Sequence, residues 1–239
     1  MSGEIAILMA AGLGTRMRPL TDKIPKPLVE VKGKKIIETI IDGLQKRGVE
    51  HIYVVVGYKS EQFVYLEGKY NNLTLVKNNE FEEKNNISSI RAVCDVMGKT
   101  NCFICEADIY IPSPQVFEKE LSTSGYYGEM VIGHSDDWIF EQDQNGKIIK
   151  IGKGGDDCYN MVGVSYFKAD DALVVTKAIK EAYKMIDHEQ MFWDEVVDNN
   201  LDKLDLVVYP VEGGEIIEID SIDELKAVDP DVCNKYGLP

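Results

Sequence analysis

One short stretch near the start of the sequence combines small side chains with clustered cations, a combination that suits phosphate binding. An apolar run at positions 5–9 is followed at once by residues with little or no side chain: Ala10, Ala11, Gly12 and Gly14. Such residues let the backbone approach a ligand, and a tight turn of backbone N–H groups attracts anions. Four cations come next: Arg16, Arg18, Lys23 and Lys26. We therefore expect this loop to bind a polyphosphate.

Two pairs of acids follow apolar runs later in the chain. Glu106 and Asp108 come directly after the run at 102–105, and Glu218 and Asp220 end a second run. Residues two apart on a strand share a face, so each pair can present both carboxylates to one side. Magnesium binds nucleoside triphosphates through one or two carboxylates together with phosphate oxygens. The acids therefore predict a cation site, although acids at strand ends can also simply face solvent, and Asp220 can cap the next helix.

These groups need a scaffold that brings strand ends together. Apolar runs without polar alternation, typical of buried parallel strands, alternate with segments of helical periodicity. Such alternation indicates an α/β fold, here a three-layer, mostly parallel mixed sheet of Rossmann-like type, with helices on both faces. Ligands of such sheets lie at the carboxyl ends of the strands. The predicted strands and helices of the second half are strands 128–134, 138–142, 147–151, 160–167, 204–210 and 215–219, and helices 169–186 and 190–200.

The bulk composition excludes some classes of partner. The net charge is −15, which argues against a general binder of nucleic acid or of anionic membranes. No signal peptide or membrane span is visible, and a reducing cytoplasm is the expected location. Cys102 and Cys105 have a spacing that is found in metal sites, but three residues apart on a strand means opposite faces, so buried thiols are expected instead.

The phosphate loop resembles the signature of the nucleotidyltransferases that join a nucleoside triphosphate to a phosphorylated small molecule. The matching segments are Ala10-Ala11-Gly12-Leu13-Gly14-Thr15-Arg16, Arg18-Pro19-Leu20-Thr21 and Pro25-Lys26-Pro27-Leu28. The resemblance implies one domain over residues 1–239, with a nucleotide-binding half (1–124) and an acceptor-binding half (125–239). It further implies that Lys26 contacts the reacting phosphates and that Arg16 holds the leaving pyrophosphate. The loop residues that it implies for holding the nucleotide are Ala10, Ala11, Gly12, Gly14 and Thr15.

The same resemblance assigns roles to other residues. It implies Mg²⁺ as the cofactor, held by Asp108 and Asp220. Asn86 and Ser89 lie where such enzymes read the base, and Glu106 belongs with them at the nucleotide. No nucleophilic side chain is required, because the phosphate of the acceptor is already anionic and can attack the α-phosphorus directly.

Further segments narrow the resemblance: Asn85-Asn86 with Ser88-Ser89, Gly57-Tyr58 followed by Glu61-Gln62-Phe63, and Trp193-Asp194 through Glu218-Ile219-Asp220-Ser221. With them the chain resembles bacterial CTP:phosphocholine cytidylyltransferases, whose substrates would be CTP and phosphocholine. Aromatic faces with nearby carboxylates attract a quaternary ammonium group. An acceptor pocket carried over from this family consists of Trp138, Trp193, Asp194 and Glu218. From composition alone, both tryptophans are better explained as core residues. Aminoethylphosphonate or a sugar 1-phosphate is the alternative acceptor, and a catalytically silent nucleotide-binding subunit is the alternative outside enzymes. A homodimer is compatible with the sequence, which does not fix the oligomeric state.

Overall fold

The computed structural model describes residues 3–238. Its strands are β1 (Glu4–Ala10), β2 (Glu30–Val31), β3 (Lys34–Lys35), β4 (His51–Val56), β5 (Leu73–Lys77), β6 (Asn101–Glu106), β7 (Ile109–Tyr110), β8 (Ser124–Gln142), β9 (Ile148–Phe167), β10 (Leu206–Val211) and β11 (Ile217–Glu218). Its α-helices are α1 (Ile36–Arg47), α2 (Tyr65–Lys69), α3 (Ile87–Ala92), α4 (Ala169–Ala182), α5 (Trp193–Asp198), α6 (Ile222–Val228) and α7 (Val232–Tyr236).

A seven-stranded sheet in the order β10-β8-β9-β6-β1-β4-β5 forms the centre of the molecule. Neighbours within β6-β1-β4-β5 are parallel, as are β10 and β8, whereas β9 runs antiparallel to both β6 and β8. Helix α1 packs on one face, and α4 and α5 pack on the other. The predicted α/β fold with a mostly parallel mixed sheet is therefore confirmed.

Side chains along β6 point alternately to the two faces of the sheet, so this strand contributes to the hydrophobic core on each face. Cys102 belongs to the core on the α4 side, and Cys105 belongs to the core on the α1 side. The two thiols thus lie on opposite faces, as their spacing predicts. Burial raises the pKa of Cys102 to about 12, so this thiol stays protonated.

The middle of the chain differs most from expectation. Instead of short separate strands at 128–134, 138–142 and 147–151, two strands of 19 and 20 residues form one long hairpin, β8–β9. Register shifts bend it between Val131 and His134, and its outer half folds back. Ile139 consequently pairs with both Gly152 and Asn160. A charged segment such as Ser135-Asp136-Asp137 looks like a loop by composition, but cross-strand pairing overrides that local preference.

The helices are shorter than their sequence periodicity suggests. The sequence from Ser60 to Tyr70 suggests one helix capped by Ser60, but the segment is a 3-10 turn followed by α2, and Lys59 occupies the cap position. The predicted strand 204–210 begins two residues later and extends to Val211, whereas only two residues of 215–219 form a strand, β11, which pairs with β7 outside the main sheet. Within residues 3–238, no helix has the length and apolar character needed to cross a membrane.

Candidate active site

The phosphate loop leaves the sheet at the end of β1 and returns over its carboxyl edge. Gly14 adopts left-handed backbone angles with φ of 61°, and Thr21 Oγ1 donates a 2.8 Å hydrogen bond to the Gly14 carbonyl oxygen. This contact ties the turn to the segment that carries Lys26. The cleft under the loop is lined by predicted nucleotide and catalytic residues: Ala10, Gly12, Gly14, Thr15, Arg16, Lys26, Asp108 and Asp220.

Lys26 is the buried cation of this cleft. Pro25 and Pro27 flank it and restrict the backbone, which lowers the entropy cost of holding the side chain in place. Its Nζ lies 2.9 Å from Asp108 Oδ2 and also contacts Asp220 Oδ1. Burial acts to lower the pKa of Lys26, but the two carboxylates outweigh it and raise the pKa above its usual value. The lysine is therefore a fixed positive charge over the working pH range.

Arg16 supplies a second cation at the mouth of the same cleft. Its Nη2 lies 2.5 Å from Asp220 Oδ2, while most of its side chain is exposed. Burial acts to raise the pKa of Asp220, but Lys26 outweighs it, with a smaller contribution from Arg16, and the pKa is lowered. The exposed guanidinium of Arg16 and the buried ammonium of Lys26 together suit a negatively charged group that enters from solvent.

Three carboxylates converge behind these cations. Oxygens of Asp108, Glu218 and Asp220 all lie within 4.8 Å of one another. The pairing of β7 with β11 holds the two acidic segments together, and the Ile219 N–H donates to the Asp108 carbonyl oxygen over 3.2 Å. Loss of hydration, together with the charges of Asp108 and Asp220, raises the pKa of Glu218.

The acidic cluster meets the requirements of a hard cation. Every donor in it is a carboxylate oxygen, the ligand type that Mg²⁺ prefers. Asp108 Oδ1 is buried and has no hydrogen-bond partner among the described residues, which leaves a lone pair available for a ligand. The residues present therefore fit a divalent cation bound beside the phosphate loop.

A second cleft continues from the phosphate loop toward α3. It shares Met9, Gly12 and Asp108 with the first, and its other walls include Ala11, Asn78, Asn86, Ser89 and Glu106. The structure thus brings the predicted nucleotide residues Ala11, Asn86, Ser89 and Glu106 into one continuous groove. A nucleoside triphosphate would fit with its phosphates under the loop and its base toward α3.

Asn78 is a residue of this groove that the sequence alone does not single out. It is buried, and its Nδ2 donates to Ser88 Oγ at 2.9 Å and to Ser89 Oγ at 3.3 Å. Ser88 in turn donates to the Asn85 carbonyl oxygen. Asn78 therefore fixes the position of the Ser89 hydroxyl. Its place directly after β5, at a strand end, is the one sequence signal that could have identified it.

Asn86 connects the nucleotide groove to the second half of the chain. Its Oδ1 accepts a 2.9 Å hydrogen bond from the Trp193 N–H at the start of α5. The neighbouring Asn85 N–H donates to the Glu189 carbonyl oxygen. The segment before α5 is thereby held against the groove.

Two of the predicted acceptor residues, Trp193 and Asp194, line a narrow pocket next to Glu106. Trp193 is only 3% exposed and stacks on Tyr126 with ring centroids 5.9 Å apart, so much of its surface serves the core. Asp194 accepts a 3.2 Å hydrogen bond from Tyr126 Oη. Burial raises the pKa of Asp194 to about 7.

Glu106 joins this pocket to the nucleotide groove, since it lines both. Burial and the negative charge of Asp108 and Asp194 raise its pKa well above the usual value. A group that brings positive charge into the pocket would favour the ionised forms of both Glu106 and Asp194. The pocket therefore suits an ammonium ion.

The other two predicted acceptor residues lie elsewhere. Glu218 is part of the acidic cluster, and Trp138 lies on the folded-back part of the hairpin. Trp138 packs edge-on against Phe192, with ring centroids 5.4 Å apart. Phe192 directly precedes Trp193 in the chain. The four residues therefore do not form a single cage: Trp193 and Asp194 line one pocket, Glu218 belongs to the acidic cluster, and Trp138 lies with Phe192 outside both.

Gly14→Ala should destabilise the protein by about 1–2 kcal/mol, because a left-handed conformation carries that cost in an L-residue. The added Cβ would also lie 3.1 Å from Thr21 Cγ2 and 3.2 Å from Lys26 Cβ. Urea denaturation of both proteins measures the difference. Gly12→Ala is the matched control, since a Cβ there has no neighbour within 4 Å and the free energy of unfolding should stay unchanged. Equal stabilities for the two variants would contradict the loop geometry.

Comparison with known proteins agrees with this geometry. Residues 6–142 match the model of the MobA-like NTP transferase domain. A 2-aminoethylphosphonate cytidylyltransferase from Lancefieldella rimae is 53% identical over 224 residues, which cover 94% of this chain and 91% of that protein. A choline-phosphate cytidylyltransferase from Streptococcus pneumoniae is 33% identical, with 96% and 99% covered.

Two solved structures of nucleotidyltransferases also resemble this chain. The CTP:phosphocholine cytidylyltransferase from Streptococcus pneumoniae superposes with a TM-score of 0.87 at 32% identity, covering 95% of this chain and 98% of that one. The inositol-1-phosphate CTP transferase from T. maritima superposes with a TM-score of 0.75 at 20% identity, which supports the fold alone.

Proposed function

The chain belongs to the MobA-like NTP transferase family of nucleotidyltransferases, and from this premise we propose that it transfers CMP from CTP to the phosphonate of 2-aminoethylphosphonate. Pyrophosphate is the second product. The two relatives described above, which each match more than nine-tenths of this chain, are named cytidylyltransferases. Their names support CTP as the donor. Phosphocholine, the acceptor first expected from the sequence, becomes the second candidate.

The choice of acceptor rests first on similarity, because the aminoethylphosphonate relative shares far more residues with this chain than the phosphocholine relative does. The pocket lined by Glu106, Trp193 and Asp194 also favours it. A primary ammonium is strongly hydrated and needs carboxylates that replace its water, whereas a trimethylammonium group prefers open aromatic faces. Here the buried Asp194 and the half-buried Glu106 provide two carboxyl groups, and one face of Trp193 is already covered by Tyr126.

In the proposed reaction a phosphonate oxygen attacks the α-phosphorus of CTP in line with the leaving group. One P–O bond forms, the bond from the α-phosphorus to the α,β-bridging oxygen breaks, and the electron pair leaves with pyrophosphate. Lys26 places a desolvated positive charge beside the reacting phosphates, and Arg16 neutralises the departing pyrophosphate at the mouth of the cleft. Asp194 and Glu106 orient the acceptor by its ammonium group. Alignment and charge neutralisation account for the catalysis, without a nucleophilic side chain.

We further propose that Asp108 and Asp220 hold Mg²⁺, with Glu218 next to them. When bound, the ion would offset negative charge on the triphosphate and so make the α-phosphorus more susceptible to attack. The unpartnered Oδ1 of Asp108 is the observation that supports this assignment.

Pyrophosphate release from CTP with Mg²⁺ tests the proposal. Four acceptors should be compared in parallel: 2-aminoethylphosphonate, phosphoethanolamine, phosphocholine and glucose 1-phosphate. We expect kcat/KM for aminoethylphosphonate to exceed that of each other acceptor by about tenfold or more, the range in which a polar pocket discriminates. A preference for phosphocholine would restore the earlier expectation. Binding of CTP without turnover of any acceptor would point to a catalytically silent subunit.

Replacing Asp194 with Asn should raise KM for aminoethylphosphonate by about 10- to 100-fold, because a charge-assisted contact is lost. The effect depends on pH. Since the pKa of Asp194 is about 7, the side chain is neutral below that value and attracts the ammonium only above it. The ratio of the variant KM to the native KM should therefore increase as the pH rises through 7 and then level off.

Initial rates at saturating CTP across the neutral range measure that ratio. The phosphonate of the acceptor also titrates near neutrality, but it does so equally with both proteins and cancels. A ratio that stays constant with pH would remove Asp194 from the ammonium site.

A further inference from the structure

A cation of the protein itself lies over the outer aromatic pair, Trp138 and Phe192. Lys153 Nζ is 5.7 Å from the Trp138 ring centroid and 5.8 Å from the Phe192 ring centroid. Both distances are within the range of cation–π attraction. The backbone register supports the contact, because Trp138 and Lys153 are directly opposed on β8 and β9 and so project to the same face.

The aromatic pair adjoins the pocket assigned to the acceptor. Phe192 immediately precedes Trp193 and Asp194, which line that pocket. On the hairpin, Asn160 Nδ2 donates to Asp137 Oδ2, next to Trp138, and the following Met161 lines the same pocket. The folded-back hairpin therefore holds the aromatic pair beside the acceptor pocket, and Lys153 lies over the aromatic faces there.

We propose that Lys153 is a specificity-determining residue that excludes quaternary ammonium acceptors by covering the Trp138–Phe192 pair with its own ammonium group. This inference rests on the proposed function and explains its choice of acceptor. A trimethylammonium group gains most of its binding from aromatic faces, and here it must displace a like charge to reach them. A primary ammonium is bound by the carboxylates of Asp194 and Glu106 instead, so Lys153 obstructs it far less.

Binding of choline to the free protein tests the proposal without relying on turnover. The chain has two tryptophans, and a Trp138→Leu variant separates the fluorescence response of Trp138 from that of Trp193, which lines the acceptor pocket. Lys153→Gln should bind choline chloride at least about threefold more tightly than the native protein, which corresponds to the removal of one exposed cation–π competitor. Lys153→Arg, which keeps the charge, should behave like the native protein. A Trp138→Leu variant should lose the response.

Lys150→Gln is the matched control for charge. Lys150 lies on the same strand, is exposed, and pairs with Glu141 over 2.5 Å. Its removal lowers the charge of the hairpin equally but leaves the aromatic pair covered. If Lys150→Gln and Lys153→Gln strengthen choline binding equally, or neither does, the proposal is wrong.

Turnover gives the second readout. In Lys153→Gln the ratio of kcat/KM for phosphocholine to kcat/KM for aminoethylphosphonate should rise at least threefold, mainly through a lower KM for phosphocholine. A ratio equal to that of the native protein would overturn the role of Lys153 even if aminoethylphosphonate is confirmed as the acceptor. If the native protein uses neither acceptor, the proposed function fails, and the choline titration still decides whether Lys153 blocks the aromatic pair.

Discussion

Lys26→Met should lower kcat by about 10²- to 10³-fold, the loss typical of removing one preorganised charge from a reacting centre. The native ammonium is buried against Asp108 and Asp220, so neither water nor another side chain replaces it easily. Methionine keeps most of the volume and removes the charge. Initial rates of pyrophosphate release measure the effect. Because Lys26 acts on the reacting phosphates, KM for the acceptor should change much less than kcat.

Lys23→Met provides the matched control for Lys26. Lys23 belongs to the same loop but is exposed, and its side chain has no part in the proposed chemistry. We expect its kcat to stay within a factor of about two, since surface substitutions seldom perturb a protein strongly. Circular dichroism should show both variants folded. A folded Lys26→Met enzyme with native kcat would exclude the lysine from catalysis.

Asp108→Asn should be similarly severe, with a fall in kcat of about 10²- to 10³-fold. The substitution removes one carboxylate of the acidic cluster, which is also one of the two charged partners of Lys26. The concentration of Mg²⁺ that gives half-maximal rate should rise at least about tenfold. A titration of activity against Mg²⁺, after removal of metal with a chelator, measures both quantities.

Asp223→Asn is the control for general loss of negative charge. Asp223 is an exposed acid in the first turn of α6, close to Asp220 in sequence but outside the cluster. Its substitution should leave the Mg²⁺ titration unchanged. An Asp108→Asn enzyme with the native Mg²⁺ requirement would contradict the metal assignment.

The first half of the fold and the phosphate loop could be predicted from the sequence because local sequence patterns determine them. An unbroken apolar strand, small residues and cations follow one another between Ile5 and Lys26, so no distant contact is needed to recognise them. The same holds for the capping box that begins at Ser221, whose Ser-x-x-Glu pattern is visible in the sequence and whose Ser221 Oγ accepts a hydrogen bond from the Glu224 N–H. Local hydrogen bonding determines such features.

The acceptor-binding half was harder to predict from the sequence because tertiary contacts determine its structure. Gly133, with φ of 91°, is a local sign of irregularity at residues 131–134, but a single glycine does not show how the hairpin folds back or what Trp138 contacts. Trp193 could belong to a pocket or to the core by its residue type, and it contributes to both. Asn78 acts through two serines ten and eleven positions away, a link that no periodicity reveals. The acceptor expected from the sequence, phosphocholine, was therefore inferred from the resemblance to a family and not from the chemistry of individual residues.

The pairing of β7 with β11 has a consequence for synthesis of the chain on the ribosome. Asp108 emerges with the first half, but Asp220 and Glu218 reach it only through the short β11 pairing and the Ile219–Asp108 hydrogen bond. Leu225, which lies beyond β11, shares a buried hydrophobic cluster with Met17 of the phosphate loop, so the loop completes its packing only after the C-terminal segment has emerged. A chain released before Ile217 would lose two of the three clustered carboxylates together with part of the hydrophobic packing under the phosphate loop. Premature termination in this region should therefore abolish activity.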